Sequence, residues 1–236
     1  MSNPVFVALD TTQPAIAAEW AARLAGQVGG LKLGLEYFIA NGPAGIDAVS
    51  GSGMPLFVDL KLHDIPNTVA AAMRGVVRLK AGITTIHASG GADMIRAAAD
   101  AAADESAKLG IAPPAVVAVT ILTSIDAQAA EAIGFGGAVL DQVKRLAALA
   151  QANGADGIVC SPLEVEAVRA LCGPSFKLIV PGIRPAWSEA GDQKRFTTPA
   201  QARAKGADVL VIGRPITGAA DPAAAARRIG DELHAG

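Results

Sequence analysis

Val5-Phe6-Val7-Ala8-Leu9-Asp10-Thr11-Thr12-Gln13-Pro14 decides between the two architectures open to a chain that alternates strands with helices. Its apolar, partly β-branched start reads as a first buried strand. An open doubly wound sheet would follow that strand with a Gly-rich turn, so that backbone can close on a pyrophosphate. Residues 10–14 contain no glycine. The reading is therefore α/β, a closed (β/α)8 or TIM barrel, in a single domain over residues 1–236.

Working outward, short apolar runs recur, each followed by an Ala-rich segment of helical periodicity. Eight strands are expected, at residues 5–9, 31–35, 56–62, 83–88, 116–122, 157–161, 178–183 and 209–213. Thr198-Pro199 and Asp221-Pro222 each offer a capping oxygen before a proline suited to a first helical turn. Gly82, Gly154 and Gly206 stand between a helical segment and the next strand, where a left-handed helix stop is expected. No linker or shift of composition divides the chain. The length of 236 residues matches the ~250 typical of one such barrel.

Composition narrows the function. Hydrophobic residues make up 51% and charged residues 18%, enough to bury a large core and unlike a disordered chain. With 20 basic and 22 acidic residues the formal charge is −2, which offers no footprint for gripping nucleic acid. Cys160 and Cys172 have neither the number nor the spacing of a disulfide framework or zinc site, and are read as core thiols of a reducing compartment. The start Met1-Ser2-Asn3-Pro4 lacks a secretory pattern, and no apolar run approaches ~20 residues, so a cytoplasmic protein without membrane contact is expected.

Barrels of this kind carry their chemistry at the C-terminal strand ends. Those ends are polar here: Asp10, Lys32, Asp59 with Lys61, His87, Thr123, Ser161, Arg184 and Gly213-Arg214. In Phe57-Val58-Asp59-Leu60-Lys61-Leu62-His63-Asp64-Ile65-Pro66-Asn67-Thr68, strand alternation turns Asp59 and Lys61 to one side and Val58, Leu60 and Leu62 to the other. If that side is the barrel interior, both charges are desolvated and must pair or shift their pKa values. A structural ion pair followed by a helix start at Pro66 is the alternative. Asp10 and Lys32 close the two preceding strands, however, and a core built only for stability would use apolar side chains more cheaply. The cluster is read as catalytic.

Asp59-x-Lys61-x-x-Asp64 followed by Ile65-Pro66-Asn67-Thr68 resembles the signature of the orotidine 5′-monophosphate decarboxylases. The resemblance spans the chain. Val7-Ala8-Leu9-Asp10, Lys32-Leu33-Gly34, Leu122-Thr123-Ser124, Val180-Pro181-Gly182-Ile183-Arg184 and Ile212-Gly213-Arg214-Pro215-Ile216 fit in family order. It implies conversion of orotidine monophosphate (OMP) to uridine monophosphate (UMP) and CO2, the last step of de novo pyrimidine nucleotide synthesis, without cofactor or metal.

The resemblance also implies roles. Lys32, Asp59, Lys61 and Asp64 would form a charge array in which Asp64 comes from the partner subunit, so that a homodimer shares its active sites. Asp10 and Lys32 would hold ribose hydroxyls, and Thr68 would reach the neighbour's substrate on its ribose side. Thr123, with Ser124 as the neighbouring alternative, would bond the pyrimidine, while Arg184, Gln193, Gly213 and Arg214 would bind the phosphate side. Residues 184–198 form a segment long enough for a lid. His63 is expected to turn away from Lys61, His87 to pack at the barrel mouth, and neither to be catalytic.

Two rivals remain at this level. Sugar-phosphate decarboxylases of the 3-keto-gulonate 6-phosphate type resemble the chain in Asp-x-Lys-x-x-Asp and the phosphate loop, but depend on magnesium. Their acidic ligand at the second strand end is replaced here by Lys32, which would repel the metal. A noncatalytic phosphate-binding barrel would leave Asp59, Lys61 and Asp64 without a purpose.

Overall fold

The apolar runs become eight parallel strands closed into a barrel in chain order, β1 to β8, in a computed structural model that describes residues 3–188 and 197–235. The strands are β1 (Val5–Ala8), β2 (Gly30–Leu33), β3 (Leu56–Leu62), β4 (Ile83–His87), β5 (Ala115–Val119), β6 (Gly157–Val159), β7 (Lys177–Val180) and β8 (Val209–Ile212). Helices cover the outside, among them α1 (Pro14–Leu24), α2 (Leu35–Ser50), α3 (Pro66–Arg78) and α4 (Ala92–Leu109) in the first half. The second half adds α5 (Ala127–Ala132), α6 (Val139–Ala152), α7 (Val165–Cys172), α8 (Pro199–Ala204), α9 (Arg214–Thr217) and α10 (Pro222–Ala235). No described helix is long and apolar enough to cross a membrane.

Alternation along the strands sorts the core into two shells. Phe6, Ala8, Phe57, Ile83, Val117, Ile179 and Val211 point inward and pack as one cluster. Their chain neighbours Val5, Val7, Leu56, Val58, Leu178, Val180, Leu210 and Ile212 point outward into the helices. The inner shell tolerates little added volume: a Cβ at Gly30 would lie 2.3 Å from the Phe6 ring. This cluster fills the lower barrel, and a hollow lies toward the C-terminal strand ends.

Helix punctuation follows the sequence at most positions. The Thr198 hydroxyl accepts from the Gln201 amide, and the Thr198 amide donates in return to Gln201 Oε1, a capping box at the start of α8. Asp221 accepts from the amides of Ala223 and Ala224 at the start of α10. Gly154 and Gly206 are left-handed, with φ of 89° and 104°. Gly82 is not. The left-handed residue after α3 is Lys80, φ 55°, so the chain has already turned when Gly82 donates its N–H to the Leu56 carbonyl at 2.8 Å.

One local device appears twice. Gly154-Ala155-Asp156 and Gly206-Ala207-Asp208 each combine a left-handed glycine, a buried alanine and an aspartate at a strand entry. The Asp156 amide donates to the Val116 carbonyl and its carboxylate accepts from the Val116 amide, both at 2.8 Å. Asp208 makes the same two-way clamp on Leu178, at 2.9 and 2.8 Å, and its carboxylate also receives Arg169 at 2.6 Å. Each clamp fixes the register of a parallel neighbour at the end of the barrel opposite the polar strand ends.

Several strands are shorter than their apolar runs. β5 stops at Val119, not at residue 122, and β7 at Val180, not at residue 183. Leu35, expected in β2, opens α2. The apolar residues beyond these ends serve the loops: Ile121 and Ile183 are buried outside any strand.

Candidate active site

The upper end of β3 breaks the regular ladder. Val58 pairs with Thr84 and Leu62 with Ile86, so β3 passes Asp59, Leu60 and Lys61 opposite the single residue Thr85. This is a bulge, and Lys61 sits in it at φ 52°, a conformation that costs a non-glycine residue roughly 1–3 kcal/mol. The side-chain directions expected from alternation survive the bulge. Asp59 and Lys61 face inward together, and Leu60 and Leu62 pack against the outer shell.

Four charges form a line across the barrel mouth. Lys61 Nζ donates to Asp59 Oδ1 at 2.8 Å. Lys32 Nζ lies 3.4 Å from Asp59 Oδ2 and 3.9 Å from Asp10 Oδ1. Thr85 Oγ1 donates to Asp59 Oδ1 at 2.9 Å and accepts the Lys61 amide at 2.8 Å. Asp59 is 7% exposed. Burial pushes its carboxyl upward, but Lys32, Lys61 and the hydrogen bonds from Lys61 and Thr85 together outweigh this and hold it below the usual carboxylate range. Asp59 is thus an anion clamped between two ammonium groups.

Above it lies a hollow of about 230 Å³. Lys32, Asp59 and Lys61 form its polar side, Val159, Ile179 and Val211 its apolar side, and Thr123 also lines it. Thr123 reaches the hollow from the loop after β5, four residues past the strand end. A flat ring with one reactive edge suits this split between apolar walls and a charged flank.

The remaining sites expected from sequence surround this centre at different depths. Asp10 follows β1 and is exposed; a Cβ on Gly213 would come within 3.6 Å of its carboxylate, which puts the ends of β1 and β8 side by side. Arg214 is exposed at the first residue of α9. Arg184 is 7% exposed, and its amide donates to the Thr197 carbonyl at 3.1 Å beside the Ile183–Thr197 bridge. The segment expected as a lid is therefore pinned where it leaves and rejoins the barrel. Gln193 and the middle of that segment lie outside the described residues.

Asp64 and Thr68 are not gathered into the site of their own chain. Both are exposed, and the Asp64 carboxylate accepts from the Ile65 amide at 2.6 Å with no ion pair among the described residues. The His63 ring stacks on that of His87 with centroids 5.1 Å apart. Burial lowers the pKa of His87, and the charges of His63 and Lys61 lower it further against the opposing pull of Asp59. Among the described residues neither ring hydrogen-bonds to the charged line.

Residues 3–229 match the family described as orotidine 5′-phosphate decarboxylase / HUMPS. The chain belongs to that family. An orotidine 5′-phosphate decarboxylase of Paramagnetospirillum magneticum is 80% identical over 99% of both chains. One of Rhodospirillum rubrum is 56% identical over 98% of this chain and 94% of its own. A crystal structure of orotidine 5′-phosphate decarboxylase from Lactobacillus acidophilus superposes with a TM-score of 0.87 at 36% identity, covering 98% of this chain and 99% of that one. Membership of the orotidine 5′-phosphate decarboxylase / HUMPS family, with near full-length likeness to proteins of the first name, places the chain among carboxy-lyases.

Two site residues escape a reading for charged strand ends. Thr85 is fully buried and uncharged, although its parity with Ile83 and His87 marks it as inward. Cys160 lines the hollow as a buried thiol, its pKa raised mainly by burial, so it contributes an inert wall and no nucleophile.

Proposed function

We propose that this chain decarboxylates OMP to UMP and CO2, as a cytoplasmic single-domain enzyme of pyrimidine synthesis that needs no cofactor. The observation that carries the proposal is the line Asp10–Lys32–Asp59–Lys61 along one side of a pyrimidine-sized hollow. Breaking the bond from C6 to the carboxylate leaves the electron pair in an in-plane orbital at C6, where the ring cannot delocalise it. The stabilisation must be electrostatic and already in place. Lys61 supplies an ammonium beside C6, then donates its proton to that carbon and regains one from water. Asp59 holds Lys61 and crowds the departing carboxylate, which is relieved as CO2 leaves.

Lys32 and Asp10 would take the ribose hydroxyls, Thr123 the base, and Arg184, Gln193, Gly213 and Arg214 the phosphate. Gly213 and Arg214 follow β8, where barrels of this class bind phosphate. Phosphate binding there would supply energy for closure and for chemistry at the distant carbon. Asp64 and Thr68 would complete the neighbouring site of a homodimer; the run of exposed residues from His63 to Thr68, with Ile65 at 66% exposure, supports a contact surface there. Lys32 also disfavours the magnesium-dependent sugar-phosphate reading, since its ammonium stands 3.4 and 3.9 Å from Asp59 and Asp10, where it would repel a second cation.

Mixing purified, EDTA-treated protein with OMP tests the reading directly. Sustained loss of OMP absorbance with stoichiometric UMP is expected. A phosphate binder would give none, and a magnesium enzyme would stop in EDTA. Within the same assay, Arg214→Ala is expected to raise KM by roughly 10- to 100-fold, the equivalent of losing a charged hydrogen bond. An unaltered KM rejects Arg214 as a phosphate ligand.

A further inference from the structure

The bulge in β3 raises a question the charged residues do not answer: what holds Lys61 in a left-handed conformation with its ammonium on Asp59. Three residues of β3 pass one residue of β4 there, so the regular ladder cannot satisfy the Lys61 amide. The amide instead meets the Thr85 hydroxyl at 2.8 Å. That hydroxyl spends its own proton on Asp59 Oδ1 at 2.9 Å, the same oxygen that receives Lys61 Nζ at 2.8 Å. Backbone N–H, hydroxyl, carboxylate and ammonium close a ring in which both ends belong to Lys61.

We infer that Thr85 is a positioning residue for the decarboxylation proposed above: its hydroxyl fixes the Lys61 backbone and the Asp59 carboxylate at once, and so sets where the ammonium stands. The hydroxyl is suited to the task because it accepts and donates from one atom. It is fully buried, so water cannot replace it at low cost. Its β-branched side chain on a strand has few rotamers, which keeps the oxygen in place. Thr84 next to it provides an internal contrast. Thr84 is equally buried and turned outward, and among the described residues its hydroxyl has no hydrogen-bond partner. The two threonines share sequence context and burial but differ in connection to the site.

The inference rests on the decarboxylase reading, and one set of variants separates the two. Thr85→Val keeps the shape and removes the hydroxyl; Thr85→Ser and Thr85→Ala form a second pair that differs only in that group and stays informative if valine does not fold. Thr84→Val is the neighbouring control. The expected result is a kcat for OMP lowered roughly 10- to 100-fold in Thr85→Val and Thr85→Ala, with UMP affinity unchanged and most activity kept in Thr85→Ser and Thr84→Val. A structural role alone would lower stability without splitting kcat from UMP affinity, or would penalise serine as much as alanine; either pattern overturns the inference, as does an undiminished kcat without the hydroxyl. Failure of the wild-type protein to turn over OMP overturns the parent reading and this inference with it. Wild-type turnover with an unimpaired Thr85→Val overturns this inference alone.

Discussion

Lys61→Ala is expected to lower kcat for OMP by on the order of 10⁴- to 10⁷-fold, the combined worth of a general acid and a preorganised electrostatic donor at one atom. UMP should still bind with appreciable affinity. The two effects separate because Lys61 faces the reacting edge of the hollow, whereas the proposed phosphate ligands follow β7 and β8. UMP carries no carboxylate at C6, so it gains little from the ammonium and does not meet the charge of Asp59. Asp59 keeps Lys32 at 3.4 Å and Thr85 at 2.9 Å, so the variant does not bury an uncompensated anion. Single-turnover kinetics with OMP and a UMP titration measure the two quantities on one preparation. A kcat within tenfold of wild type would remove Lys61 from the chemistry, and loss of UMP binding would show that it holds the ligand more than the transition state.

The same residue shows where reading a sequence succeeds and where it stops. Strand alternation is a local rule, so the inward direction of Asp59 and Lys61 and the limits of β3 were legible from the run Leu56–Leu62. The bulge was not, because it is a relation between β3 and β4. Nothing in the order Asp59-Leu60-Lys61 states that three residues will face only Thr85. A lysine at φ 52° is opposed by its own propensity and persists because the neighbouring strand satisfies its amide. Thr85 was overlooked for a related reason: a neutral hydroxyl in an apolar strand looks like filler until its partners are known.

Turn chemistry was legible where one residue carries it. Thr198 and Asp221 cap the helices expected of them, and Gly154 and Gly206 stop theirs. Gly82 misled because Lys80 had already taken the left-handed position, at a cost that glycine would have avoided. The aspartates that follow Gly154 and Gly206 carry pairing information that a search for helix stops passes over. Asp156 and Asp208 each hold both backbone groups of a residue on the preceding strand, which makes Gly-Ala-Asp a strand-entry clamp as well as a helix end. Apolar runs overstated β5 and β7 because hydrophobicity reports burial, and Ile121 and Ile183 are buried in loops.

Asp64 presents a different limit, since its proposed partners belong to another copy of the chain. On its own chain it is exposed, bonded to the Ile65 amide and outside the charged line. If sites are shared, Asp59→Asn and Asp64→Asn homodimers are both expected to be nearly inactive, each lacking one acid in both sites. Mixing them by reversible dissociation makes heterodimers in which one site receives both mutations and the other receives neither. With random exchange about half the dimers are mixed and one of their two sites is intact, so recovery should approach about a quarter of wild-type activity per subunit. Tagging the two variants differently and isolating the mixed dimer raises the expected value to about half, which fixes the stoichiometry independently of exchange. Heterodimers with no more activity than their parents would place Asp64 outside the neighbouring site, and the exposed edge from His63 to Thr68 would then need another explanation. Recovery would mean that the barrel carries an incomplete set of charges by design of its sequence, with the missing carboxylate delivered by the segment that each copy leaves unburied.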